Sequence, residues 1–354
     1  MKLVNALICA AFIIVVLIIA LIPLIKGAVQ KRSAIAPAEI HPPRGMSPMD
    51  VLIQYYGKNA DPRKLFNPLM LYWAERGFIT IEEDCKRGLK LTKLKDVERP
   101  ESGDCFDERT FALEEKLFGY LFEKSDSFYT LSADKGFTEC YEKVMSDCKI
   151  RAERVSFEKT NKYSKLNFFL SIFLTVAVTV FVGITVNIDG VNANIGIMAV
   201  MLFPIIALVF MRFAFEGFKG RTSVRYMLIP FFALWGGLPL IIVLGALPLV
   251  ASLLLGTAFA VSVFMMYVVP KILDLRTREQ LKIYGRICGF KRFLLLAERA
   301  KLEELVEDDP EYFYEILPYC YILGITEKLK PKFDRIIMDG PGWYLGDLRD
   351  TLMF

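Results

Sequence analysis

The sequence predicts an α-helical integral membrane protein with about five transmembrane helices, an α+β winged-helix-like cytosolic domain and a small helical C-terminal cytosolic domain. Three observations carry this. Five long apolar runs cover Leu3–Ile25, Leu166–Val186, Ile195–Phe215, Tyr226–Leu244 and Leu249–Pro270. The chain is 54% hydrophobic although it holds two long charged stretches, so the excess lies in the runs. Every cluster of Lys and Arg falls on the same side of those runs.

A helix needs about 20 apolar residues to cross a hydrocarbon core of roughly 30 Å. Four runs reach that length and Tyr226–Leu244 falls just short. The predicted organisation is an anchor at 1–26, a Pro-rich linker at 27–46, a cytosolic domain at 47–160, crossings at 166–186, 195–215, 226–244 and 249–270, and a cytosolic domain at 271–354. The last two crossings are separated at Gly245-Ala246-Leu247-Pro248, because Pro248 cannot continue the preceding helix. The first run is expected to be a retained anchor rather than a cleaved signal. Its apolar stretch exceeds the usual 7–15 residues and no A-x-A site precedes Lys26.

Lys and Arg near membrane ends set orientation. Lys26, Lys31, Arg32 and Arg44 follow the first run, and Lys159, Lys162 and Lys165 precede the second. Lys219, Arg221 and Arg225 separate the third and fourth, and Lys271, Arg276, Arg278 and Lys282 follow the fifth. The opposite loops, Asn187–Asn194 and the turn at Gly245, hold neither residue type. The expected placement is a multi-pass cell-membrane protein with its N-terminus outside and its C-terminus in the cytoplasm. The interiors of the runs are read as uncharged, which counts against ion-coupled transport.

In the first cytosolic stretch, Ser47-Pro48 is a helix start with Ser at the N-cap and Pro at the first turn, and Gly57 is its stop. Asp61-Pro62 opens a second helix with Leu65, Leu69 and Trp73 on one face, ended by Gly77. Phe78–Glu82 and Leu89–Thr92 read as a hairpin around a charged turn at Glu83–Gly88. Residues 95–104, with Pro100 and Gly103, form a polar loop. Phe106–Lys124 and Phe137–Val155 carry helical apolar faces, and Phe128–Leu131 is a short third strand. Two helices and a hairpin are winged-helix-like. Arg63, Lys64 and Arg76 are offset by Glu75, Glu82, Glu83 and Asp84, so nucleic acid is not expected as a partner.

Two stripes of small residues mark helix-packing or homo-oligomer contacts: Ser171, Thr175, Thr179 and Gly183 on the second run, and Ser252, Gly256 and Ala260 on the fifth. In the C-terminal stretch, Leu275–Val306 reads as a helix broken near Gly285 and Gly289, with Phe290, Phe293, Leu294 and Ala297 as its apolar face. Lys282, Arg286, Lys291 and Arg292 are candidates for contact with a partner or the membrane surface. Asp309-Pro310 starts another helix, Glu311–Leu323, stopped by Gly324, and Trp343-Tyr344 is either an interfacial anchor or a packing lid.

The seven cysteines show no CxxC pair, so they read as reduced, small hydrophobic side chains. The single histidine, His41, reads as a solvated linker residue. No Walker loop, GxSxG or HExxH motif is present. No catalytic residue, cofactor site or metal ligand set is therefore assigned.

The stretches Gly289-Phe290-Lys291-Arg292-Phe293-Leu294, Ala297-Glu298 and Leu317–Ile325 resemble the tail of the YciQ-like predicted membrane proteins, a domain of unknown function. Pro42–Pro48 and Leu71–Ile81 are similar to that family's cytosolic segment, so the resemblance spans about residues 40–345. It implies an integral membrane protein without an assigned reaction and supplies no catalytic residues. Members commonly carry a β-rich extracytoplasmic domain before this region, which this chain is expected to lack. The expected function is a non-enzymatic scaffold or signalling component, with the lipid bilayer and an unidentified cytosolic protein as partners. A transporter or small channel using a broken helix near Gly236–Pro239 is the alternative, and a membrane-tethered nucleic-acid binder the second.

Overall fold

The computed structural model describes residues 3–34, 37–84, 86–99, 105, 107–132, 135–155, 157–186, 199–217, 222–333 and 340–345. Cys85, Pro100, Gly103, the loop Asn187–Asn194, the start of the third run at Ile195, Lys219 and Arg221 lie outside the described residues. In chain order the elements are α1 (Leu3–Ser33), α2 (Pro48–Tyr56), α3 (Phe66–Glu75), β1 (Ile79–Asp84), β2 (Gly88–Lys93), α4 (Glu108–Leu121), β3 (Ser127–Tyr129) and α5 (Lys135–Arg154). There follow α6 (Phe157–Thr185), α7 (Leu202–Gly217), α8 (Thr222–Ala246), α9 (Leu249–Val263), α10 (Arg278–Leu296), α11 (Arg299–Asp308), α12 (Tyr312–Leu323), α13 (Thr326–Phe333) and β4 (Tyr344–Leu345). Two compact units result: Met1–Val29 with Glu158–Leu275, and Gln30–Phe157 with Arg276–Phe354.

Among the described residues, three helices are long and apolar enough to cross a membrane: Leu3–Ser33, Asn161–Thr185 and Leu249–Val268. The other two predicted crossings fall on α7 and α8. The buried face of α1, Cys9, Ile13, Val16 and Ala20, recurs every three or four residues. It shares an apolar cluster with Leu174, Val178 and Val182 of α6 and Ala251, Leu255 and Ala258 of α9. The break between α8 and α9 falls where the sequence places it, with Pro248 as N-cap of α9. Ser252 Oγ donates to the carbonyl oxygens of Leu244 (2.6 Å) and Leu247 (3.1 Å), serving the C-terminal end of α8. Beyond α9 the helix widens into a π turn at Phe264–Val268, where Pro270 has no N–H to give back.

In the first unit one expectation fails and one alternative loses its premise. The third run does carry a charge: Arg212 lies on α7, half-buried, and donates to Ser164 Oγ of α6 (3.4 Å). Nor is α8 broken near Gly236–Pro239, since it runs unbroken through Pro230, Gly236-Gly237 and Pro239. Gly236 is instead a close-packing position, where an added Cβ would lie 2.6 Å from Ala207 Cβ on α7.

The second unit has one core, to which α2, α3, α4, α5, α10, α11, α12 and α13 all contribute. The sequence separates 47–160 from 271–354, but the fold interleaves them. The hub is α12, buried on nearly every side from Tyr312 to Leu323 and packed against α2 and α3. Tyr319 Oη donates to Met46 O (2.7 Å), and Tyr56 Oη donates to Ile322 O (3.0 Å). The sheet has the order β3-β2-β1-β4, with β1–β2 and β2–β3 antiparallel and β4 parallel to β1. Tyr344 pairs with Ile81, so Trp343-Tyr344 joins the sheet edge as a packing lid.

The element order of two helices and a hairpin is present, but Pro68–Ala74 of α3 are all buried. A helix hydrophobic all round belongs to a core and has no face left to enter a groove. The predicted break near Gly285 and Gly289 is also absent. Both glycines are buried within a continuous α10, and the chain turns at Ala297 instead. There Lys332 Nζ donates to the carbonyls of Leu294 (3.3 Å), Leu295 (2.9 Å) and Ala297 (2.7 Å), placing a cation at the helix C-terminus.

Candidate functional site

The most chemically distinctive place in the second unit is a buried pair of carboxyl groups between α2 and α4. Ser47 caps α2, and Asp50 completes a capping box with it. Ser47 N–H donates to Asp50 Oδ2 (3.1 Å) and Asp50 N–H donates to Ser47 Oγ (3.4 Å). That box turns the Asp50 side chain inward, leaving it 5% exposed. From α4, Glu114 is 2% exposed and its Oε1 accepts from Trp73 Nε1 at 2.7 Å. Both acids line a small cavity with Ser47, Tyr72, Val97, Glu98 and Phe111. Asp50 Oδ1 is buried there without a hydrogen-bond partner.

Burial governs the protonation of both groups, because a low-dielectric surrounding disfavours the charged form. It pushes Asp50 up to about 8; the Ser47 backbone N–H opposes this, and the charges of Glu114 and Asp107 add to it. Glu114 is pushed up to about 7 by burial, against the hydrogen bonds from Trp73 and Ser47. Asp107, the N-cap of α4, shows the contrast. Burial would raise it, but the hydrogen bond and charge of Arg151 hold it below the ordinary range. A second raised acid, Glu75 at the end of α3, is pushed up to about 7 by burial, against Arg76 and helped by Glu315, Glu311 and Asp309. Cys148 of α5 is pushed up to about 12, by burial first and then by Asp50.

The pair can take up and release protons. The aliphatic hydroxyl that lines the cavity beside the acids, Ser47 Oγ, donates to Asp50 Oδ2 (3.4 Å) and also serves as the N-cap of α2. Among the described residues no group of three or more His, Cys, Asp or Glu side chains could hold a metal ion.

The residues singled out in the sequence fall in several places. Ser171, Thr175, Thr179 and Gly183 are buried on α6. Thr175 Oγ1 donates to Ser262 Oγ of α9 (2.8 Å), and Ser262 Oγ donates to Ser171 O (2.9 Å). This stripe is therefore a helix-packing face within one chain. The stripe on the fifth run is misplaced: Ser252 serves α8, Gly256 is half-buried against Leu244, and Ala260 is exposed. The packing face of α9 runs through Ala251, Leu255, Ala258 and Ser262, because the true helical period drifts off strict four-residue spacing.

Of the four basic candidates, Lys282 and Arg292 are exposed. Lys291 instead donates to Leu323 O (2.9 Å) and Tyr55 Oη (3.2 Å), and Arg286 pairs with Glu39 (3.0 Å) and Cys105 Sγ (3.3 Å). These two are internal struts. His41 is not a free linker residue either. Its Nδ1 pairs with Glu315 Oε2 (2.9 Å) and its ring packs edge-on against Tyr312. The linker is thus strapped to α12.

Asp50, Thr110 and Glu114 carry no catalytic or metal-binding sequence motif, and Arg276 reads in the sequence only as a flanking charge. One signal was there: Thr110, Glu114, Leu117 and Leu121 share a helical face, so Glu114 interrupts an apolar stripe.

Residues 219–333 match the family described as "Predicted membrane protein (DUF2207) C-terminal domain". This stretch is similar to the DUF2207 family. The match agrees with the YciQ-like resemblance over part of its span, and runs from α8 to α13. In the matched stretch lie Arg276, Lys291 and Tyr319, whereas Asp50 and Glu114 precede it. No curated protein and no solved structure matches the chain.

Proposed function

We propose that this membrane protein is a non-enzymatic scaffold or signalling component that presents one composite cytosolic unit to a protein partner. One observation carries the reading: Gln30–Phe157 and Arg276–Phe354 share a single core. Two segments that fold together must lie on the same side of a bilayer. The chain between them then crosses an even number of times. With α6 and α9 alone the total is three crossings, counting α1; with α7 and α8 added it is five.

Five crossings, an outside N-terminus and a cytosolic composite unit suit the basic loop that contains Lys219 and Arg221. Substituted-cysteine labelling in intact cells tests the topology. Positions 218–221 are protected from an impermeant thiol reagent in the five-crossing arrangement and labelled if α7 and α8 remain on the outer side. Photo-crosslinking from exposed positions such as Lys282 and Arg292, followed by mass spectrometry, tests the scaffold. A specific protein captured at neighbouring positions supports it, and capture of lipid alone from every position sinks it. The buried α3 counts against the nucleic-acid alternative, and the unbroken α8 removes the premise of the transporter alternative.

A further inference from the structure

The Asp50–Glu114 pair has a geometry that packing alone does not demand. Two carboxyls from different helices meet at one cavity, away from solvent, and neither has a basic side chain as its hydrogen-bond partner. We propose that Asp50 and Glu114 form a proton-binding site, so that the docking of α2 on α4 depends on the protonation of the pair.

Asp50 Oδ2 is used by the capping box, while Oδ1 lines the cavity without a partner. A proton on Oδ1 turns an unserved acceptor into a donor. On deprotonation the site must hold two negative charges in a low-dielectric pocket, a state that like-charge pairs avoid. The proton comes from solvent as an O–H bond forms on the carboxylate and returns there when it breaks, so no other reactant is needed.

The surroundings were arranged by several elements. Glu114, Asp107 and Thr110 face Asp50 from α4, and Cys148 faces it from α5 with Arg151 beside Cys148. Arg151 is engaged by Asp107 and by Thr110 Oγ1 (3.0 Å). Tyr72 faces the cavity from α3, with Glu75 and Arg76 beyond it, and Glu98 lines the cavity from the segment after β2. From α12, Tyr319 donates to Met46 O beside the cap, while Lys291 of α10 and Arg276 lie at the opposite end of α2. A hard cation such as Ca²⁺ takes six to eight oxygen ligands. Two carboxyls with one unserved oxygen on Asp50 fit a proton better.

The sign follows from the direction of the shifts. Both acids titrate higher in the folded unit than unfolded, so their contribution is fully present below about pH 4 and is lost as pH rises through about 7 to 8. The test uses the full chain in detergent, with Trp235→Phe and Trp343→Phe so that Trp73 alone reports, and with Glu75→Gln so that Glu75 adds nothing. The melting midpoint falls by roughly 5 °C or more between pH 5.5 and 8.5. Asp50→Asn or Glu114→Gln removes at least half of that slope, and the double variant flattens it. A slope unchanged in Glu114→Gln, or a uniform loss at every pH in both variants, overturns the proposal. So does a midpoint at pH 8.5 that rises with added Na⁺, K⁺, Mg²⁺ or Ca²⁺ without a pH slope, which would assign the pair to a cation.

Discussion

The guanidinium of Arg276 donates to the carbonyl oxygen of Tyr55 at 3.0 Å. It also donates to Gln54 O and lies 4.6 Å from the ring centroid of Tyr284. Arg276 is 1% exposed, and it is the residue at which the chain enters the second unit from α9. A cation at the C-terminus of a helix is favoured by the unsatisfied carbonyls there, and its hydrogen bonds are charge-assisted. Arg276→Ala should therefore destabilise the second unit by about 2–4 kcal/mol. Arg276→Lys should recover part of this, since an ammonium keeps the charge but not the planar fork. Urea unfolding followed by Trp73 fluorescence measures both, and equal midpoints for wild type and Arg276→Ala would contradict the capping role.

Glu75 offers a separate pH effect. Its folded-state value is raised to about 7, chiefly by burial, so its favourable contribution is present below about pH 4.5 and lost as pH rises through 7. Glu75→Gln should accordingly stabilise the second unit by about 1–2 kcal/mol at pH 8 and have little effect at pH 4.5. Melting curves at the two pH values check it; equal effects at both would remove titration as the cause.

In the first unit, Ser262 bridges two helices through Thr175 Oγ1 and Ser171 O. Hydrogen bonds between membrane helices average about 0.6 kcal/mol and reach about 1.7. Ser262→Ala should cost an amount in that range, and Ser262→Val more, because the added methyl groups must enter a packed face. Ala260→Val, on the exposed side of the same helix, serves as the neutral comparison. Steric-trap unfolding in bicelles distinguishes them.

The paired glycines of α8 should behave differently. A side chain at Gly236 meets Ala207 and the backbone of Pro204, whereas none of the surrounding atoms lies within 4 Å of a Cβ at Gly237. Gly236→Leu should disrupt the packing of α7 on α8 and lower the yield of folded protein in detergent, while Gly237→Leu should leave it near wild type. Size-exclusion profiles after purification compare the two; similar losses would mean that close approach at Gly236 is not what packs the pair.

Local signals were read well where the physics is local. Ser47 and Pro48 mark the start of α2, Leu65, Leu69 and Trp73 are all fully buried, and Gly324 ends α12 in the left-handed conformation. Each rests on a few adjacent residues. The misses share the opposite property. Gly285 and Gly289 look like breaks, yet they are buried glycines inside a continuous helix. Lys291 and Arg286 look like surface charge until Leu323 O and Glu39 come within reach. Arg212 stands in the sequence of the third run, but its contact with Ser164 depends on the packing of α7 against α6.

The sequence by itself determined that the chain enters a membrane and where most helices and strands begin and end. Apolar run length, capping residues and strand alternation act over one to six turns of chain, so no distant partner is needed to read them. Only the tertiary structure decided that residues 30–157 and 276–354 make one core, that β4 completes the sheet beside β1, and that Asp50 meets Glu114 out of water. Those outcomes depend on which apolar faces find each other across the fold, and the protonation of a buried carboxyl follows from that packing rather than from its neighbours in sequence.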